Sequence, residues 1–170
     1  MNIVLIGYRC SGKTSVGRLI AEKTAWNFID TDVLIEEESG CSIEDLVAKK
    51  GWEYFRAIER EVIRKVSLQD NLVIATGGGI VMEMENIKNL KENGTLIWLR
   101  AAPNNLKKRM EKDISEGTKR PSLTGDDPIE EIRKVLNIRN PLYEASSDHI
   151  VDTDELSIIE TTDVIIKMVL

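Results

Sequence analysis

The sequence predicts an α/β domain with a parallel sheet between two helical layers, and three observations carry that prediction. Short apolar runs alternate with amphipathic stretches along the whole chain. The segment Gly7–Thr14 (GYRCSGKT), directly behind the first apolar run, fits the phosphate-loop pattern G-x-x-x-x-G-K-[ST]. The polar motifs Asp30–Asp32 and Thr76–Gly79 also follow strands immediately, and ligands of parallel sheets bind beyond the carboxyl ends of their strands.

The elements follow in order. Strands are expected over 2–6, 27–29, 72–75, 95–99 and 149–151, each a run of mostly apolar residues. Helices are expected over 13–23, 43–67, 83–92, 103–112, 128–143 and 155–169. In the first of these, Val16, Leu19 and Ile20 mark an inner face at i, i+3, i+4 spacing. Such alternation implies parallel strands joined by crossovers, with helices on both faces. The segment 113–127, DISEGTKRPSLTGDD, breaks the rhythm with two glycines, a proline and little apolar content. It reads as a lid with a basic tip at Lys119 and Arg120, or as a plain loop.

At 170 residues the chain makes one domain that buries roughly 70% of its unfolded surface. Apolar and charged fractions of 42% and 31% are those of a water-soluble globular protein. A net charge of −6 argues against nucleic acid as a partner, since no broad basic stripe is present. No apolar run reaches membrane-spanning length. Two cysteines, Cys10 and Cys41, without framework spacing point to a reduced, cytoplasmic protein.

The chemistry-bearing residues are those of phosphoryl transfer. Backbone N–H groups of the loop and the positive end of the following helix receive polyphosphate. Lys13 reaches the outer phosphates and the Thr14 hydroxyl suits Mg²⁺. Asp30 and Asp32, one residue apart at a strand end, can serve two needs: Asp30 the metal through water, Asp32 the acceptor hydroxyl. Asp32 also suits a helix N-cap before Val33-Leu34-Ile35. Asp152 is a rival acid for the metal.

Arg56 and Glu59 stand at i, i+3 in a helical stretch, so the acid could hold the guanidinium as a fork for a carboxylate. Arg139 is a second fork, beside Pro141, which is expected to disrupt its helix. Either arginine alone also reads as a solvated surface residue. Gly77, Gly78 and Gly79 allow a ligand close to the backbone, or form a turn needing positive φ. His149, the single histidine, reads as structural, and Glu36-Glu37-Glu38 as a solvated helix face. Trp26, Trp52 and Trp98 read as core or pocket wall.

Taken together, the phosphate loop, D-T-D, F-R-x-x-E, T-G-G-G, K-R-P and R-N-P-L-Y in this order resemble shikimate kinase over nearly the whole chain. The resemblance implies a fold like that of nucleoside monophosphate kinases, with a five-stranded parallel sheet in the order 2-3-1-4-5. It implies transfer of the γ-phosphoryl of ATP to the 3-hydroxyl of shikimate, with Mg²⁺ as cofactor and ATP and shikimate as partners. It assigns Lys13 and Arg120 to the transferring phosphoryl, Thr14 and Asp30 to Mg²⁺, and Asp32 to the acceptor hydroxyl. Arg56 and Arg139 would clamp the carboxylate, with Gly77, Gly78 and Gly79 supplying backbone contacts. Cys10, Ser11, Gly12, Lys13, Thr14, Ser15, Arg109 and Arg120 would surround ATP, Arg109 near the adenine. The acceptor segment spans about 32–60, and a monomer is expected.

The rivals are another small-metabolite kinase on the same scaffold, such as a gluconate or nucleoside monophosphate kinase, and a nucleotide-binding protein without turnover. No N-K-x-D or T-K-x-D motif argues for a GTPase. Cys10 stands where many shikimate kinases have glycine, and a thiol at a helix N-terminus gains thiolate character. Thiol-modifying reagents are therefore expected to inactivate the protein, with bound ATP protecting it. Full modification of Cys10, verified by mass spectrometry, with unchanged turnover would sink this expectation.

Overall fold

A computed structural model of the chain describes residues 1–115 and 127–170. Its frame is a sheet whose inner strands are buried on both faces. β1 (Asn2–Ile6) and β3 (Leu72–Ala75) are buried at every position. The first residue of β1 is polar and still buried: the Asn2 amide donates to the Gln69 carbonyl at 2.8 Å and accepts from Leu72 N–H at 3.0 Å. With β2 (Asn27–Asp30), β4 (Gly94–Arg100) and β5 (His149–Asp152) these form a five-stranded sheet in the order β2-β3-β1-β4-β5. All pairings are parallel, with Ile3 opposite Val73, Val4 opposite Leu96 and Leu99 opposite Val151. The expected order is thus the observed one.

Alternation along the strands divides the core. Ile3, Leu5, Val73, Ile97 and Leu99 face α1 (Lys13–Thr24) and α7 (Ile158–Val169), where Val16, Ile20 and Ile165 meet them. Val4, Ile6, Ile74, Leu96 and Trp98 face the opposite layer. There the covering residues include Phe55, Val62 and Ile63 of α3 (Ile43–Ser67), Leu90 of α4 (Met84–Glu92), and Ile132 and Tyr143 of α6 (Pro128–Ser146). Strand order reverses around β1, so the cleft above its carboxyl end is where such a fold binds ligands.

Four expectations need correction. The helix expected behind an Asp32 cap, α2 (Thr31–Ser39), follows β2 directly, and its N-cap is Asp30, not Asp32. Asp30 sits in extended backbone and its carboxylate accepts from Asp32 N–H at 3.1 Å, which leaves Asp32 inside the first turn with its side chain available. α3 is two helical arms broken at Gly51, whose φ of 84° and ψ of 168° no helix accommodates. Pro141 does not disrupt α6, which runs through it. The bond it forfeits is to the carbonyl of Asn137, an exposed residue that water can satisfy. The segment 113–127 is not loop at its ends, because α5 (Pro103–Ser115) takes its first residues and Asp127 caps α6. Its interior, with Lys119 and Arg120, lies outside the described residues.

Trp98 is core, Trp26 packs half-buried beneath α1, and Trp52 is exposed at the cleft. Glu36, Glu37 and Glu38 are exposed, as expected of a solvated face. Among the described residues no helix is long and apolar enough to cross a membrane. At the start of β4, a Cβ on Gly94 would lie 2.7 Å from the Leu90 carbonyl oxygen and 2.9 Å from Val4 Cγ2. Neither backbone nor packed strand can yield cheaply. Gly94→Ala is expected to destabilise the fold by about 1–3 kcal/mol, read as a lower urea midpoint with an unchanged m-value.

Candidate active site

The carboxyl ends of β1, β2 and β3 open into a cleft of about 840 Å³. Its floor is the phosphate loop between β1 and α1. Gly7, Cys10 and Gly12 have φ of 142°, 61° and 100°. Backbone that enters the left-handed region in this way forms concave N–H surfaces suited to anions. For Cys10, which carries a Cβ, that conformation costs on the order of 1–2 kcal/mol. Its Sγ lies 3.3 Å from Asp113 Oδ2 at the end of α5. The Lys13 ammonium is buried and donates to the carbonyls of Gly7 (2.8 Å) and Tyr8 (2.7 Å), which curl the loop around it. Ser11 is buried, while Ser15 is exposed at the helix start.

Asp30 joins this loop to the acceptor side. One oxygen accepts from the Thr14 hydroxyl at 2.8 Å, the other from Asp32 N–H. Thr31 points the opposite way, wholly buried, and its hydroxyl accepts from Gly77 N–H at 3.2 Å. β2 and β3 are thereby locked at their ends. The D-T-D motif was read for its acids alone; its middle residue is the tie.

The glycine run after β3 is required for space. The segment turns, with Ile80 N–H donating to the Gly77 carbonyl at 3.2 Å, but none of Gly77, Gly78 and Gly79 has positive φ, so the turn does not itself require glycine. A Cβ on Gly77 would meet Asp32 Oδ1 at 2.8 Å and Glu59 Oε1 at 3.2 Å. On Gly79 it would lie 2.1 Å from Arg56 Nη2. On Gly78 it would approach Arg9 N at 3.3 Å and Arg139 Nη1 at 3.6 Å. Both acids and both expected arginine forks thus gather around three residues without side chains.

Arg56 is not a loose surface group. Its Nη1 donates to Glu59 Oε2 at 2.6 Å, and its guanidinium lies over the rings of Phe55 (5.1 Å) and Trp52 (5.9 Å). Glu59 has no exposed side-chain surface, so this is a buried pair. Burial pushes the Glu59 carboxyl above its ordinary range and nearby Asp32 adds to that, while Arg56 opposes it. Arg139, half-buried on α6, faces the same glycines. One turn on, the Tyr143 hydroxyl donates to the Gly78 carbonyl; burial pushes this phenol up to about 12. The four-residue step from Arg139 to Tyr143 in R-N-P-L-Y was the available signal for that contact.

At the other end of the cleft, Arg109 of α5 donates to the Thr153 carbonyl at 2.8 Å and its hydroxyl at 3.1 Å. Asp152 does not join the cleft. It pairs with Arg100 across the sheet edge, which lowers its carboxyl, so it is not the metal acid. His149 is half-buried at the start of β5, away from the cleft lining.

Fold and cleft define a phosphoryl-transfer enzyme of the phosphate-loop kinase class acting on a small molecule. The model of the family "Shikimate kinase" matches residues 9–170. A shikimate kinase of Thermodesulfovibrio yellowstonii is 42% identical over 166 residues, covering 98% of this chain and 93% of the relative. Shikimate kinase 2 of Photorhabdus laumondii is 41% identical over 150 residues, 88% of this chain and 85% of the relative. The solved structure of a shikimate kinase from Acinetobacter baumannii in complex with shikimate superposes with a TM-score of 0.91 at 31% identity, covering 99% of this chain and 92% of that one. The chain belongs to the shikimate kinase family.

The buried Glu59 carboxyl has a measurable consequence. Its folded-state pKa stands above the ordinary 4.5, so in the window above that value the folded chain binds more protons than the unfolded one. Stability from this group therefore falls as pH rises through the window. The unfolding free energy of wild type relative to Glu59→Gln is expected to decrease from pH 4.5 towards neutrality. Urea titrations across that range giving parallel curves for the two proteins would show that Glu59 titrates normally.

Proposed function

We propose that this chain transfers the γ-phosphoryl group of ATP to the 3-hydroxyl of shikimate, giving shikimate 3-phosphate and ADP in aromatic amino acid biosynthesis. The observation that carries the reading is a carboxylate, Asp32, in the same cleft as the phosphate-loop lysine and two guanidinium groups. A triphosphate needs the first end, and an organic acid bearing a hydroxyl needs the second. Gluconate remains a weaker alternative, since paired arginines select a carboxylate without choosing among acids.

Each group then has a task. Arg56 and Arg139 hold the acid's carboxylate, and the backbone at Gly77, Gly78 and Gly79 lets the ring lie close. Asp32 accepts a hydrogen bond from the hydroxyl and takes its proton as the oxygen bonds to phosphorus. The bond from phosphorus to the bridging oxygen breaks, and ADP leaves with that electron pair. Lys13 neutralises charge on the transferring group, and phosphoryl transfer depends chiefly on such positioning and neutralisation. Ser11, Gly12, Thr14, Ser15 and Cys10 line the phosphate end, with Arg109 near the adenine. Arg120 keeps its assigned place at the phosphates from the motif alone.

The Thr14 hydroxyl and Asp30 carboxylate, 2.8 Å apart, are hard oxygen donors of the kind that fits Mg²⁺ carried on phosphates and water. When bound, that ion screens the charge of the outer phosphates. The chain is taken to act as a monomer, and its two free cysteines suit a reducing cytoplasm.

ADP release measured with shikimate, beside gluconate and nucleoside monophosphates, tests the reading; turnover with another acceptor and none with shikimate overturns it. Within it, Lys13→Ala and Asp32→Asn are each expected to lower kcat by on the order of a hundredfold. Gly79→Ala displaces Arg56 and is expected to raise the KM for shikimate chiefly. Near-wild-type kcat for Asp32→Asn would remove that residue from catalysis.

A further inference from the structure

The cleft holds a fourth arginine that neither the motifs nor the assignments above use. Arg9, inside the phosphate loop, places Nη2 3.0 Å from Oε1 of Glu131 in the first turn of α6. The partners are 122 positions apart in sequence, and their side chains are only 10% and 6% exposed. A buried ion pair of this kind contributes little net stability over apolar packing, whereas breaking it leaves an uncompensated charge. Its presence beside the cleft calls for another explanation.

Position along α6 supplies one. Glu131, Val135, Arg139 and Tyr143 recur every fourth residue, so they line one stripe of the helix. The stripe is attached at both ends to the rim that carries the ligands. At its start Glu131 grips Arg9 of the phosphate loop. At its end the Tyr143 hydroxyl grips the Gly78 carbonyl, and the Tyr143 ring stacks on Trp98 at 5.6 Å. Arg139 lies between these attachments, its Nη1 facing Gly78. Arg9 itself is braced: its guanidinium lies over the Tyr8 ring at 5.6 Å and its backbone nitrogen abuts Gly78. Ile132 and Tyr143 seat α6 on the sheet, and the attachment two turns before Arg139 ties that helix to the phosphate loop as well.

We propose that Arg9 and Glu131 are a positioning pair for the phosphoryl transfer: by tying α6 to the phosphate loop they set where Arg139 presents its guanidinium relative to the bound triphosphate. The pair touches neither reacting atom, and its effect passes through Arg139. This rests on the reading of Arg139 as a clamp for the acid's carboxylate.

The test is the doubly apolar variant Arg9→Met/Glu131→Met, which removes both charges at similar volume, together with the near-isosteric Glu131→Gln. Each is assayed for ADP release and for its unfolding midpoint, and the double variant is crystallised. The expected result is a KM for shikimate raised tenfold or more in the double variant and at least threefold in Glu131→Gln. The KM for ATP should change less than threefold, and the midpoint of the double variant should stay near that of wild type. A merely structural pair would instead lower the midpoint and leave the KM for shikimate within twofold in the folded fraction, which overturns the proposal. If the double variant does not fold, Glu131→Gln decides by the same criterion. If the wild-type chain itself releases no ADP with shikimate, the functional reading fails. The pair is then judged by crystal structures of wild type and the two variants. Displacement of Arg139 by about 1 Å or more from Gly78 upholds it, and a superimposable Arg139 overturns it.

Discussion

The Asp30 carboxylate is the joint on which the cleft depends. It accepts from Thr14 on the nucleotide side and from the Asp32 backbone on the acceptor side, so both halves of the reaction are referenced to one group. A helix N-cap is ordinarily a matter of about 1 kcal/mol of stability. Here the same bond starts α2 one residue before Asp32 and presents the Asp32 side chain from a fixed first turn. Thr31 pins the next strand through Gly77. Two consecutive residues therefore fix the distance between the phosphate loop and the Asp32 carboxylate, the proposed base. Rates fall steeply when such distances drift by an ångström.

Electrostatics at the acceptor end follow from close packing. Three glycines let Asp32, Glu59, Arg56 and Arg139 approach one stretch of backbone. Burial raises the cost of ionising Glu59, Asp32 beside it adds to that, and Arg56 offsets part of it. The arrangement spends stability to hold a guanidinium rigid, by one buried acid and two aromatic faces. A planar donor fork already oriented loses little entropy when a carboxylate arrives.

Much of this was legible in the sequence, because the fold's signals are local. Strand-length apolar runs, the phosphate loop and the D-T-D and T-G-G-G strand ends each carry their meaning within a few residues. What was missed depends on contacts between distant segments. The cap reading and the acidic face pointed to α2, but its buried positions, Thr31 and Ile35, are too few to fix where it starts. Asp152 looked like a metal acid until its register opposite Arg100 was known. The Arg56–Glu59 spacing was legible, but its burial was not, and burial changes its meaning. The role of the glycines could not be decided locally: φ values remove one alternative and neighbouring side chains select the other. Pro141 misled because the rule against proline concerns an unmet carbonyl, and at an exposed position solvent meets it.

The break at Gly51 has a mechanical meaning of its own. An intact helix of 25 residues would act as a single strut, so any tilt at Ser42 and Ile43 would be felt at Arg56. Interrupting the hydrogen-bond ladder turns the strut into two links. The outer link, seated in the core through Leu46, packs with α2, while the inner one, seated through Phe55 and Val62, carries the Arg56 guanidinium. The outer wall of the cleft at Ser42 to Glu44 and the setting of Arg56 thereby belong to two separately oriented parts of one secondary-structure element.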